Sequence, residues 1–441
     1  MTTTKNNEHK KLNFSSEREQ SQACLNSAEH EKNQGRKVLN VPNLRFPEFK
    51  GEWKEERLAD IADLYKGTGI SKEQLSDDGE PCILYGELYT KYKSETIREV
   101  ISKTNIDNTK LVRSKANDVI IPCSGETAED IAIARCVLNG NILLGGDLNI
   151  IRLHGYDGAF MSYQLNGRRK YDIAKVAQGV SVVHLYGEHL KGVKTFNPCL
   201  EEQKKIAGLL ALLDERIATQ NKIIDKLQSL IKGMEDNLLD NPLWEKTYLR
   251  SFMQFFSTNS LSWEQLSYEE GDIRNLHYGL IHGFQTRGIN SASLPMIKNE
   301  AIPKQYTLCQ VGDVAFADAS EDTGEIAKSV EFVDTIEGDT ICGLHTIHGR
   351  DIKNRTVVGF KGFAFNSRYF HNQIKRLAQG TKVFSITANN LSSCYVYLPD
   401  LDTQTVIVRL LKSYEEQLII DRMIFKQYEK QKQYLLRQMF I

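Results

Sequence analysis

Six of the chain's ten histidines fall in spaced pairs. His184 and His189 are five positions apart, as are His277 and His282, while His345 and His348 are three apart. Imidazoles could hold zinc, but a zinc site needs about four converging nitrogen, sulfur or carboxylate donors. No Cys-x-x-Cys pair or acidic run stands beside these histidines, so they read as surface groups or donors to a base edge or phosphate, and no metal site is assigned. Catalytic motifs are missing as well. An enzyme acting on a flipped adenine would use an Asn/Asp-Pro-Pro-aromatic step. Asn197-Pro198 and Asn241-Pro242 are instead followed by Cys199 and Leu243 and read as boundary turns. No GxxxxGK[ST] phosphate loop occurs. The acids of "PDLDTQ" lack the ExK of a metal nuclease and suit a helix cap. No catalytic residue is assigned.

The remaining polar groups suit recognition. In "YKGTGIS", Lys66, Thr68 and Ser71 surround Gly67 and Gly69, and glycines let backbone amides approach a phosphate closely. Any tight turn would carry the same residues. In "CSGETAED", Ser124, Gly125, Glu126 and Thr127 include a carboxylate able to accept from cytosine N4; a helix N-terminus with an acidic first turn is the other reading. Gln178 and Gln379 each precede a glycine, in "AQGVSVVHL" and "AQGTKVF". A feature kept in both places serves fold or backbone grip rather than base choice. Arg274, His277, Tyr278, His282 and Arg287 form one aromatic-basic stretch, the strongest recognition candidate of the second half.

Those two Ala-Gln-Gly stretches belong to a larger repetition. From Ala174 and again from Lys375, 201 positions later, the text runs in register into a long helical pattern. Upstream, "NDVIIPCSGETAEDIAIA" corresponds to "GDVAFADASEDTGEIAKS" at an offset of 195. The runs "CILYGELY", "DVIIPCSG", "AIARCVL" and "GGDLNIIRL" carry the alternation and β-branched residues of short strands. After Pro198 a heptad seam takes over: Ile206, Leu210, Leu213, Ile217, Ile224, Leu227, Ile231, Met234 and Leu238, with polar Gln220 at one core position. After Pro399 a second seam follows through Ile407, Leu411, Tyr414, Leu418, Phe425, Tyr428, Leu435 and Met439. There Asp421 takes the place of Gln220, and Lys432 that of Ile231.

These elements predict an α+β fold in which two strand-rich domains alternate with two long helices that pair as an antiparallel coiled coil, a pseudo-twofold tandem repeat. The expected boundaries are a disordered polar arm over 1–40, a first domain over 41–198, a helix over 199–241, a second domain over 242–398 and a helix over 399–441. Each helix of about 35 residues would be about 50 Å long. Antiparallel pairing would set Gln220 against Asp421, costing stability but fixing register; otherwise each points outward at a local bend. Two inverted reading heads suit a ligand with separated, inverted half-sites, and duplex DNA repeats its groove faces about every 34 Å.

Composition agrees with more than one domain, since 441 residues exceed a single core. With 41% hydrophobic and 26% charged residues the chain reads as globular. No apolar run reaches the roughly 18 to 20 residues of a membrane helix, and the first residues lack a signal peptide's apolar core. Eight cysteines without repeated spacing suit reduced thiols in a cytosol. A net charge of −1 means that any basic surface is local or shared with a partner.

"LRFPEFKGEWKEERLADIADLYKGTGIS", "ILYGELYTKY", "SGETAEDIAIA", "AQGVSVVHL" and "EEQKKIAGLLALLDERI", in this order, resemble the specificity subunit of type I restriction-modification systems. The resemblance runs from about Val41 to the end and includes the alternation of target-recognition domain and helix. It implies a noncatalytic chain that reads an asymmetric bipartite double-stranded DNA target, one half per domain. The helices would act as spacer and as docking surface for two adenine-N6 methyltransferase subunits, joined by a restriction and translocation subunit. S-adenosylmethionine and ATP with magnesium would be bound by those partners and no cofactor by this chain, in a bacterial or archaeal cytoplasm with no membrane contact. The gap between half-sites would follow helix length. The second half carries the motifs in looser form, as "HYGLIHGFQTRGI" and "ADASEDTGEIA". The competing readings are a coiled-coil adaptor whose domains bind proteins, or the DNA-binding module of a fused restriction-methylation system.

Overall fold

The computed structural model describes residues 39–107, 109–179, 182–284, 286–334 and 338–441. Nearly all of the expected polar arm lies outside them. The chain divides into two compact units: the first runs to Asp214 and takes in Gln431–Ile441, and the second is Glu215–Lys430.

In the first unit a five-stranded sheet has the order Ala62–Lys66, Leu148–Leu153, Asp118–Pro122, Arg135–Val137, Thr96–Ile97. Its central strand shows why "DVIIP" is a continuous apolar run. Val119 and Ile121 enter the core cluster that holds Met161 and Leu165, while Ile120 enters another with Leu88 and Ile150. Both faces are covered, so alternation disappears. A four-stranded sheet of Leu143–Leu144, Glu80–Ile83, Ser102–Thr104 and Leu75–Ser76 lies within the same unit.

The second unit repeats this plan. Its five-stranded sheet runs Met253–Phe256, Thr346–Asp351, Val314–Ala317, Ser329–Phe332, Gly288–Ile289, and its four-stranded sheet Asp339–Cys342, Ile273–Leu276, Met296–Ile297, Leu266–Ser267. Val314 and Phe316 face one core, and Ala315 and Ala317 the other.

Matched polar contacts explain which residues are kept. Arg152 forks onto Asp118 at 3.0 and 2.7 Å, and Arg350 forks onto Asp313 at 2.8 and 2.7 Å. Asn166 receives the amide of Ala134 at 2.7 Å, and Asn366 that of Ser329 at 3.0 Å. Gln203 donates to the Pro198 carbonyl and accepts from the Asp157 amide. Gln404 does the same with Pro399 and Val357. The shared Pro-x4-Gln spacing thus fastens the start of each long helix to its own unit. Asp400 of "PDLDTQ" caps its helix through the Thr403 amide at 2.8 Å.

One strand expectation is corrected. "CILYGELY" is a strand only to Ile83; Glu87–Thr90 is a helical turn. The buried Glu87 carboxylate accepts the Leu84 amide at 3.0 Å and pairs with Lys91, which ties the turn to the residue that follows the strand.

The long helices span Leu200–Leu239 and Leu401–Gln438, 40 and 38 residues. They run antiparallel in both units. In the first, Ile206, Ala207 and Leu210 pack with Leu435, Leu436, Met439 and Phe440. In the second, Met234, Leu238 and Leu239 share a core with Ile407 and Leu411. Among the seam positions, Leu210, Leu213, Ile224 and Leu411 are buried, whereas Ile217, Leu227, Leu418 and Phe425 are half-buried. Gln220 donates to the Asp421 carboxylate at 2.7 Å, both side chains being buried.

Each unit also holds a charged cluster against its part of the helix pair. In the first, Lys432 meets Glu95 at 2.5 Å and Asp214 at 2.6 Å, and Asp214 accepts from Ser94 and Tyr163. In the second, Arg287 meets Glu235 at 2.8 Å and Glu415 at 2.7 Å. Glu95 immediately precedes the edge strand Thr96–Ile97 as Arg287 precedes Gly288–Ile289. The loop therefore supplies an acid in one unit and a base in the other.

Candidate nucleic-acid interface

In the first unit Ser124–Gly125 pairs antiparallel with Val183–His184. The loop before Val183 is closed by mutual backbone bonds between Gln178 and His184, at 2.9 and 2.7 Å. Gly179 takes φ +125°, and a Cβ there would lie 2.1 Å from the Val182 carbonyl oxygen. The second unit repeats this with Gln379 and Ser385. Gly380 has φ +130°, with the Val383 oxygen 1.9 Å from a Cβ. Gln178 and Gln379 are both exposed.

A cleft of about 670 Å³ opens beside this strand pair, lined by Tyr85, Tyr89, Ser124, Gly125, Glu126 and Val182 among others. Tyr89 donates to the Ser124 carbonyl at 2.9 Å. Burial, and secondarily Asp130, pushes its phenol well above the ordinary tyrosine range, so it stays protonated and donating. Ser124 Oγ lies 3.4 Å from His184 Nδ1, and Tyr186 packs on both His184 and His189. Tyr85, Val182 and Tyr186 are exposed at 40%, 53% and 51%. Exposed aromatic faces, a carboxylate and hydroxyl donors at an open cleft can stack on and hydrogen-bond base edges.

Several residues read from the sequence as contacts are engaged internally. Thr68 Oγ1 accepts the Val112 amide at 3.1 Å. Ser71 caps the short helix Lys72–Gln74. Gly67 is buried because its backbone lies against Gly145. Of that loop, Lys66 and Gly69 remain exposed with Ser71. Thr127 accepts from the Asp130 amide as an N-cap, which leaves Ser124, Gly125 and Glu126 on the cleft.

In the second unit His277 is buried, lies with its ring tilted 4.5 Å from that of Trp263 and accepts the Gly279 amide at 3.2 Å. Burial, and then His345, lowers its pKa. Arg274 donates to the carbonyls of Ala292 and Leu294, and Arg287 is the helix clamp described above. The aromatic-basic stretch therefore contributes Tyr278 and His282, both half-buried. His282 lies 3.3 Å from Glu325 and Tyr278 edge-on to His345.

The sequence reading missed Tyr85, Tyr89, Val182 and Tyr186. Tyr85-Gly86 recurs as Tyr278-Gly279, a signal that would have found Tyr85. Among the described residues no helix is long and apolar enough to cross a membrane.

Residues 50–229 match the family model for the type I restriction modification DNA specificity domain. Over 89% of its length the chain is 24% identical to the type I restriction enzyme MjaVIII specificity subunit of Methanocaldococcus jannaschii, covering 92% of that protein. Over most of its length the chain is thus similar to a type I specificity subunit. It is also 23% identical over 91% of its length to the putative MjaX specificity subunit of the same organism, covering 95% of it. The crystal structure of the type I S subunit from M. genitalium shares the fold, with a TM-score of 0.57 at 15% identity, covering 91% of this chain and 99% of that one. A chain from a study of assembly and conformational transition of the type I system gives 0.51 at 14% identity, covering 87% and 96%.

Proposed function

We propose that this chain is a specificity subunit that reads an asymmetric, interrupted double-stranded DNA target, one half per unit, and thereby directs adenine-N6 methylation by partner subunits. The observation that carries the reading is a duplicated frame whose corresponding cleft positions differ. Tyr85 and Gly86 are kept as Tyr278 and Gly279, whereas Tyr89 becomes His282, Ser124 becomes Ala319 and Gly125 becomes Ser320. Asp147 becomes His345, both held in the left-handed region at φ 57° and 54°. The same backbone thus presents different donors, as two unlike half-sites require.

The long helices support the docking of methyltransferase subunits. Leu212, Ile223, Leu230, Val406, Ile420 and Met423 are 44 to 61% exposed, outside the seam. A docked partner would cover these exposed apolar side chains. S-adenosylmethionine would then sit on those partners, and ATP with magnesium on a restriction subunit, all in the cytoplasm. The test is adenine-methylation sequencing of a host with and without this gene. Methylation at one bipartite motif disappears on deletion, and a substitution at Ser124 or Glu126 alters one half of the motif only. An unchanged methylation map would refute the reading.

A further inference from the structure

In the second unit Cys309, Cys342 and His348 converge, each offering one ligand atom within 4.8 Å of the others, and all three are buried. Cys342 ends the strand Asp339–Cys342, His348 lies on Thr346–Asp351, and the Cys309 amide is tied to the Thr340 carbonyl at 2.8 Å. The two sulfurs are 3.6 Å apart. Two Zn–S bonds of about 2.3 Å at the tetrahedral angle set sulfurs about 3.8 Å apart, whereas a disulfide requires about 2.05 Å.

His348 is also held by a carboxylate. Its Nε2 lies 2.7 Å from Asp313 Oδ2, and Asp313 is gripped by Arg350. A carboxylate on one ring nitrogen fixes the tautomer that leaves a lone pair on the other. The first unit supplies the contrast, because strand register equates Ala315–His348 with Ile120–Ile150 and Leu276–Cys342 with Ile83–Leu144. Leu144 and Ile150 there lie in an apolar core, beside an Asp118–Arg152 pair like Asp313–Arg350. The supporting pair is common to both units, but only the second has sulfur and imidazole at these positions. An imidazole in place of a core isoleucine is costly unless its polar atoms are used.

We propose that Cys309, Cys342 and His348 bind one zinc ion, with a water from the adjoining cavity completing four ligands. That cavity, about 270 Å³, is lined by Cys342 and His348 together with Asn259, Tyr306 and Thr307. Two thiolates neutralise the dication, and sulfur donors select zinc over magnesium or calcium. The ion staples the Cys309 loop to two strands of different sheets, independently of any role in DNA reading. Histidine spacing alone gave no hint of it, because Cys309 and Cys342 are 33 positions apart.

The full-length chain, purified with zinc in the medium, is assayed for metal by mass spectrometry, and cobalt is then exchanged into it. About one zinc per chain is expected, together with tetrahedral cobalt bands and thiolate charge-transfer absorption. Cys309→Ser should remove about half of that absorption, since one of two thiolates is lost, and His348→Gln should weaken retention at least tenfold, within the range expected when ligand support is lost. Absence of both zinc and charge-transfer absorption in the wild-type chain would overturn the proposal, whether or not the variants fold. So would recovery of Cys309 and Cys342 as a disulfide.

Discussion

Gly179 and Gly380 show what a repeated word in this sequence means physically. Both take left-handed backbone where a side chain would meet a carbonyl oxygen, so the kept Ala-Gln-Gly records a turn's geometry and places an exposed glutamine at its rim. Gly179→Ala and Gly380→Ala should each lower stability by about 1–3 kcal/mol, measurable as a lower unfolding midpoint by calorimetry. The repeat made this legible without a structure. Thr68, Ser71, His277 and Arg287 were not legible, because a hydroxyl or guanidinium in a loop has the same sequence whether it faces a phosphate or a distant backbone amide. The partner of Thr68 is 44 positions away, and Arg287 reaches Glu415 across 128. Burial decides such cases, and loop composition does not encode it.

At the scale of elements the helix pair was the clearest feature of the sequence, since a four-three apolar seam allows little else. The Gln220–Asp421 bond sits within it. Gln220→Leu alone should cost about 1–3 kcal/mol by leaving the buried carboxylate short of a donor. Replacing both residues by leucine should restore most of that loss, as buried polar pairs can be exchanged for packed apolar ones; denaturant melts of the two variants decide it. The clusters flanking the seam were invisible beforehand, because Glu95 and Arg287 come from loops. Arg287→Met should cost about 3–5 kcal/mol by isolating Glu235 and Glu415. Burial raises both carboxyls above the usual range while Arg287 opposes the shift. Acids with raised folded pKa values contribute most below their unfolded value of about 4.3 and lose that contribution as pH rises through the folded value. The Arg287→Met penalty should therefore be larger at pH 7 than at pH 5, and equal penalties would contradict the assignment.

For the whole molecule, the order of strand-rich region and helix, stated twice, made the α+β architecture readable, while diverged loops hid what each cleft presents. A net charge of −1 leaves little phosphate-neutralising surplus. The chain alone should accordingly bind its target at least tenfold more weakly than it does with methyltransferase subunits attached, in titrations at matched salt. Under the proposed function, unlike residues on a common frame read unlike halves of one DNA target. The most direct test exchanges the Tyr89, Ser124 and Gly125 side chains for those of His282, Ala319 and Ser320 and maps adenine methylation in cells carrying the partner methyltransferase. One half of the motif should change while the other stays constant; a motif altered in both halves, or in neither while methylation persists, would contradict it.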